Sequence, residues 1–125
     1  ETRRDIITGY IMTEAKISEQ QEKRIAEILG GKRVKGSGSG KYNKQDVQTS
    51  HALVQAKRTK GKSITIKRSD LDNLEQDALN RAKVPLFVFG FGEYQTQDWV
   101  AIPIWFLRGD NGAALQNILK NMKWD

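Results

Sequence analysis

The chain has 125 residues, enough for one domain with a modest core, and its 38% hydrophobic and 29% charged residues suit a globular protein rather than a disordered one. No apolar run approaches the roughly 20 residues of a membrane span, no signal-peptide core is seen, and the lack of cysteine excludes disulfides and thiolate metal sites. The net charge of +6 is unevenly held: Lys32 to Arg68 carries eleven Lys and Arg against one acid, Asp46, a local +10 beside −4 for the remainder. Such a block is the electrostatic footprint of a polyanion. A chain that opens on Glu1 is expected to have lost a methionine or a longer leader.

In chain order, residues 1–17 read as an arm or a short irregular helix. Ser18-Glu19-Gln20-Gln21 is a capping-box pattern that predicts a helix to about Leu29, closed by Gly30-Gly31. Lys32 to Lys35 reads as a short strand, and Gly36 to Gly40 as a flexible loop continued to Lys44. Asp46–Gln48 and Leu53–Arg58 read as strands joined by a turn at Thr49-Ser50-His51. Ser63 to Ile66 alternates and is expected to be extended. Ser69, with Asp70 and Asp72 behind it, predicts a second helix to about Ala82. Pro85 to Phe91 is an apolar strand that turns at Gly92-Glu93-Tyr94 and returns as Trp99 to Ile102. A last helix starts at Asn111 or Gly112, with Leu115, Ile118, Leu119 and Met122 along one side. The order α-β-β-β-α-β-β-α predicts an α/β fold: a mixed central sheet flanked by helices. No repeat is seen, so one domain is expected: arm 1–17, core 18–107 and C-terminal helix 108–125.

The chemistry concentrates around Asp46. Residues two apart on a strand share a face, so Gln55 and Lys57 emerge together while Val54 and Ala56 point the other way. An acid, an oxygen ligand and a lysine at one strand end suit metal-assisted attack on a phosphodiester. Glu22 lies on the apolar stripe marked by Ile25, Ile28 and Leu29, where a carboxylate is costly unless paired or metal-bound. It either reaches round the stripe's edge to a lysine or serves as a second anionic ligand beside Asp46. The Gly-Ser loop is not a phosphate-binding loop of nucleotide triphosphatases: Lys35 stands where the first glycine belongs, and Tyr42 where Ser or Thr follows the lysine. Its backbone and hydroxyls, flanked by Lys35, Lys41 and Lys44, suit phosphate contacts instead. The single histidine, His51, offers no zinc-type site and reads as a turn residue. Trp99, Trp105 and Trp124 read as core or interface residues.

Taken together, Glu22 before Ile28-Leu29-Gly30, the basic Lys35-Gly36-Ser37-Gly38-Ser39 loop, Asp46, and Gln55-Ala56-Lys57 followed by Thr59 resemble the PD-(D/E)xK nuclease fold. Within it they are most similar to the archaeal-type and phage Holliday junction resolvases. The resemblance covers about residues 18–107 and rests on order and spacing, because each motif is short. It implies a restriction-endonuclease-like core and a homodimeric, magnesium-dependent endonuclease, with manganese as a substitute, cutting four-way or other branched DNA in the cytoplasm of a bacterium, archaeon or phage-infected cell. It also implies Asp46, Glu22, the Gln55 side-chain oxygen and the Ala56 carbonyl as metal ligands, and Lys57 as the group that orients water and offsets charge on the phosphate. Lys35, Ser37, Ser39, Lys41, Lys44, Arg58, Lys60, Lys62 and Arg68 are then expected to track the DNA backbone. The chain departs from that pattern at Gln55, where most of the family has Glu or Asp. Three readings follow: a natural active variant, which the presence of Glu22, Asp46 and Lys57 favours; an inactivated one; or a DNA-binding module with a decayed site.

Overall fold

The computed structural model describes residues 13–34, 46–92 and 98–123. Its elements follow the expected order: α1 (Glu14–Leu29), β1 (Lys32–Arg33), β2 (Val47–Gln48), β3 (Ala52–Thr59), α2 (Arg68–Asn80), β4 (Val84–Phe91), β5 (Asp98–Ala101) and α3 (Gly109–Asn121), with a 3-10 turn at Ile104–Leu107 before α3. The five strands form one sheet in the order β1-β2-β3-β4-β5. Every pairing is antiparallel except β3 with β4, which run parallel and are joined across α2. The protein is thus α/β, with a mixed sheet flanked by helices.

Helix ends depart most from expectation. α1 starts at Glu14, not after Ser18: Thr13 is extended and its hydroxyl accepts the Lys16 N–H at 3.1 Å. The earlier start adds Ile17 to the buried face, so the stripe runs Ile17, Gln21, Ile25 at four-residue steps, all buried. Gln21 holds the middle of that stripe and Glu22 its half-buried flank. The boundary expected between an arm and a core at residue 18 therefore falls inside a helix. Gly30 closes α1 in the left-handed region at φ 69°, as the Gly-Gly pair implies. α2 begins at Arg68 on an extended Lys67 that makes no side-chain cap, so Ser69 lies in its first turn instead of preceding it. α2 ends at Asn80, because Ala82 turns left-handed at φ 55° and Lys83 N–H returns to the Ala78 carbonyl at 2.8 Å. α3 begins at Gly109, two or three residues early; Ile118 alone of its expected stripe is buried, and Leu119 is exposed.

Alternation along β3 and β4 sorts the core into two layers. Val54, Leu86 and Val88 pack with Ile25 of α1, Val47, Phe106 and Ile118 of α3; Leu53 and Phe87 pack with Leu74 and Ala78 of α2. Residues Val84 to Val88 are all buried because β4 is covered on both faces, which is why it reads as a continuous apolar run. Ser63 to Ile66 joins no strand; it leads from β3 to α2 with Ile66 tucked against the second layer. Among the described residues no helix is long and apolar enough to cross a membrane.

Candidate active site

Of the predicted site residues, Asp46 and Gln55 face each other at the rim of the sheet, where the described part of β2 begins. The register pairs Val47 with Val54, and the Asp46 N–H continues the ladder to the Val54 carbonyl at 2.9 Å. Asp46 thus stands opposite Gln55. The Val54 carbonyl faces β2, so two residues on the polar backbone groups of Ala56 face the same way. The Ala56 N–H donates to Asp46 Oδ2 at 2.7 Å, and the Ala56 carbonyl opens onto the rim beside that carboxylate.

Glu22 reaches the same rim from α1. Burial and the Asp46 charge hold its carboxyl above the usual carboxylate range, in that order, while Arg33 pulls the other way. Arg33 Nε on β1 donates to Glu22 Oε1 at 3.2 Å. The sequence alternative of a lysine partner is thus met by an arginine. Arg33 pairs with Val47 in the sheet register and the Val34 N–H bonds the Asp46 carbonyl at 2.8 Å, so the Glu22–Arg33 pair lies at the same end of β2 as Asp46.

Gln55 and Lys57 follow Leu53 onto the α2 face of β3 and are half-buried. The Lys57 ammonium does not converge on Asp46. It donates to the Thr65 carbonyl in the segment leading to α2. Among the described residues no three His, Cys, Asp or Glu side chains gather closely enough to hold a metal. Glu22 reaches this end of β2 from the α1 side through Arg33. Asp46 stands opposite Gln55 in the register, and Gln55 offers a neutral amide from the α2 face. Magnesium is commonly held by one or two carboxylates together with water and a substrate phosphate, so this hard-oxygen set fits it.

The basic residues expected to meet DNA divide sharply. Lys35, Ser37, Ser39, Lys41 and Lys44 lie outside the described residues. Lys62 is exposed; so is Arg68, which pairs with Asp72 at 3.4 Å one turn along α2. Lys60 is half-buried and lines a small cleft with Ile17, Ser18, Arg58 and Thr59. Arg58 departs from expectation altogether. Val54, Ala56 and Arg58 share the α1 face, and the Arg58 side chain is only 3% exposed. Its Nη1 meets Asp98 Oδ1 at 3.3 Å, and its Nη2 donates to the Phe91 carbonyl at 2.6 Å and to that of Gly92. Burial and the nearby Arg24 lower its pKa, and Asp98 opposes them. It is an interior ion-pair partner, not a surface contact.

That interior cluster escaped sequence reading. Asp98 also accepts from Arg24 Nη2 at 3.3 Å and from Gln21 Nε2 at 3.2 Å, and Gln21 Nε2 donates to the Lys57 carbonyl at 3.1 Å. Gly90 lies between Arg58 and Asp98 in the sheet register, and a Cβ there would sit 2.6 Å from Arg58 Nη1 and 2.7 Å from Asp98 Oδ1. A glycine inside an apolar strand often marks such a close approach, and this was the available signal.

Of the other named residues, Trp124 lies outside the described residues. His51 N–H donates to Thr49 Oγ1 at 3.0 Å, and the His51 carbonyl accepts the Val84 N–H at 2.8 Å. Trp105 stacks on Phe106 and donates to Glu75 Oε2 at 3.2 Å, whereas Trp99 is exposed. Two roomier clefts, around Leu71, Phe87 and Ile102 and beside His51 and Lys123, include none of Glu22, Asp46, Gln55 or Lys57. Compared with known proteins, the chain matches no family model, no curated protein and no solved structure.

Proposed function

We propose that the chain is a magnesium-dependent, structure-selective DNA endonuclease with a PD-(D/E)xK core, acting as a cytoplasmic homodimer on four-way junctions or other branched DNA. The observations that support this reading are Asp46 opposite Gln55 at the end of β2, bonded by the Ala56 N–H, and Glu22 joined through Arg33 to the same end of the sheet. Carboxylate oxygens are the ligands that hard divalent cations prefer. Asp46, Glu22, Gln55 and the Ala56 carbonyl would hold magnesium, or manganese in its place. Held there, the ion would supply polarisation of a phosphodiester and a lowered pKa for bound water.

The remaining chemistry belongs to the chain. Lys57 sits two residues beyond Gln55 on the same face, and its ammonium is held by one exposed backbone carbonyl. It leaves that carbonyl to orient water and to meet charge growing on the phosphate. Lys60, Lys62 and Arg68, with Lys35, Ser37, Ser39, Lys41 and Lys44, follow the DNA backbone, which carries charge but no base sequence. Gln55 supplies an oxygen without a negative charge, so metal binds more weakly than at an all-acid site.

A panel of junction, flap, duplex and single-stranded DNA with and without magnesium tests the reading. Magnesium-dependent cleavage of the branched substrates is expected; cleavage confined to another substrate would make it a different nuclease on the same core. The competing reading is a DNA-binding module with a silenced site. Gln55 and the Arg33 guanidinium seated on Glu22 favour it. On that reading wild type binds DNA without cutting it, and Gln55→Glu restores cleavage.

A further inference from the structure

We infer that Gln21 is a positioning residue, the pin that sets α1 against β3 so that Glu22 meets Asp46 at the rim. The inference rests on the metal-site reading above and adds to it a residue with no ligand role of its own. Gln21 is only 1% exposed in a stripe otherwise made of Ile17 and Ile25. A buried amide in such a place is costly unless its hydrogen bonds are made. Both protons of its Nε2 are used, one on the Lys57 carbonyl and one on Asp98 Oδ1.

The geometry gives those two bonds a consequence. A side chain can brace a helix against a sheet through apolar contact alone, but such contact lets the helix slide or roll by fractions of an ångström. Gln21 instead bonds the main chain of β3 at the residue that carries the Lys57 ammonium. The next residue on α1 is Glu22. Rotation of α1 about its axis would therefore break the Gln21 bonds and move the Glu22 carboxylate away from Asp46 together.

Asp98 makes the pin rigid. Its Oδ1 accepts from both Gln21 and Arg58, so α1, β3 and β5 share one carboxylate oxygen. Arg58 is anchored in turn by the Phe91 and Gly92 carbonyls at the end of β4. Arg24 belongs to the same cluster, yet among its described bonds none reaches β3. This separates holding the fold from placing Glu22.

The experiment is a calorimetric titration of magnesium into the full chain without DNA, for wild type, Gln21→Met and Arg24→Met, with folding checked by circular dichroism. Gln21→Met is expected to weaken magnesium binding by about 10-fold, within the range typical for residues that orient metal ligands. Arg24→Met is expected to leave that affinity within about 2-fold while lowering the melting temperature. If Gln21→Met does not fold, Gln21→Asn keeps the amide on a shorter arm and is expected to weaken binding by a smaller factor. Wild-type affinity in a folded Gln21 variant, or equal weakening by Arg24→Met, overturns the inference while leaving wild-type cleavage, and so the nuclease reading, intact. Magnesium binding by wild type without cleavage of any DNA sinks the nuclease reading and leaves the pin to be judged on affinity. No magnesium binding by wild type sinks both.

Discussion

Gln21 and Glu22 are neighbours in the chain, yet α1 turns them about 100° apart and into opposite surroundings. On the Gln21 side, the amide and Arg58 are buried, Arg24 is half-buried, and Asp98 receives three donors. On the Glu22 side, Arg33 pairs with Glu22 from an exposed position, and Asp46 accepts the Ala56 N–H. The inner cluster spends charge on holding three elements together. At the rim, burial and the Asp46 charge raise the Glu22 carboxyl instead. Among the described residues, the Nε atoms of Arg24 and Arg58 are buried without a partner.

The sharpest way to break this contrast is to remove the hub. Asp98→Ala strands the Arg58 guanidinium inside and should cost about 3–5 kcal/mol in urea unfolding. Glu22→Ala at the rim should cost no more than about 1 kcal/mol. Similar losses at the two positions would erase the distinction. Next in size is Gly90→Ala. Its methyl has to displace either Arg58 or Asp98, so a loss of about 1–3 kcal/mol is expected in the same measurement. An unchanged midpoint would mean that the ion pair does not need the notch.

The smallest effect has the opposite sign. The Glu22 carboxyl is raised in the folded protein, so the folded state holds its proton to higher pH than the unfolded chain does. Stability from this group is full below the unfolded value of 4.5 and is lost as pH rises through the folded value. Glu22→Gln removes that loss. The metal-free variant should therefore melt higher than wild type at neutral pH, and the gap should close on acidification. A variant that melts lower at neutral pH would show that the Arg33 pair outweighs burial and the Asp46 charge.

The sequence carried the element order because apolar period survives local detail: alternation marked β3, and the unbroken run from Leu86 to Phe89 marked a strand covered on both faces. It misplaced the start of α1 because Thr13 and Ser18 both look like caps. That error hid Ile17, and without Ile17 the position of Gln21 in the buried stripe could not be seen. The rim was legible through Asp46 and Gln55, which lie close in the chain across one turn. The inner cluster was not. Gln21 and Asp98 are 77 residues apart and meet only because β5 pairs with β4. Arg58 continues the alternation of Val54 and Ala56 toward the core, but a basic residue in a basic segment reads naturally as surface. The direction of the Lys57 ammonium depends on the segment after β3, whose path no periodicity reports.

The nuclease reading stands or falls most directly on Asp46. Wild type and Asp46→Asn should be compared on one four-way junction with magnesium, measuring binding and strand cleavage in the same samples. The account predicts paired nicks by wild type, with cleavage abolished and binding retained in Asp46→Asn. Equal cleavage by the two proteins, or none by wild type despite tight binding, would contradict it.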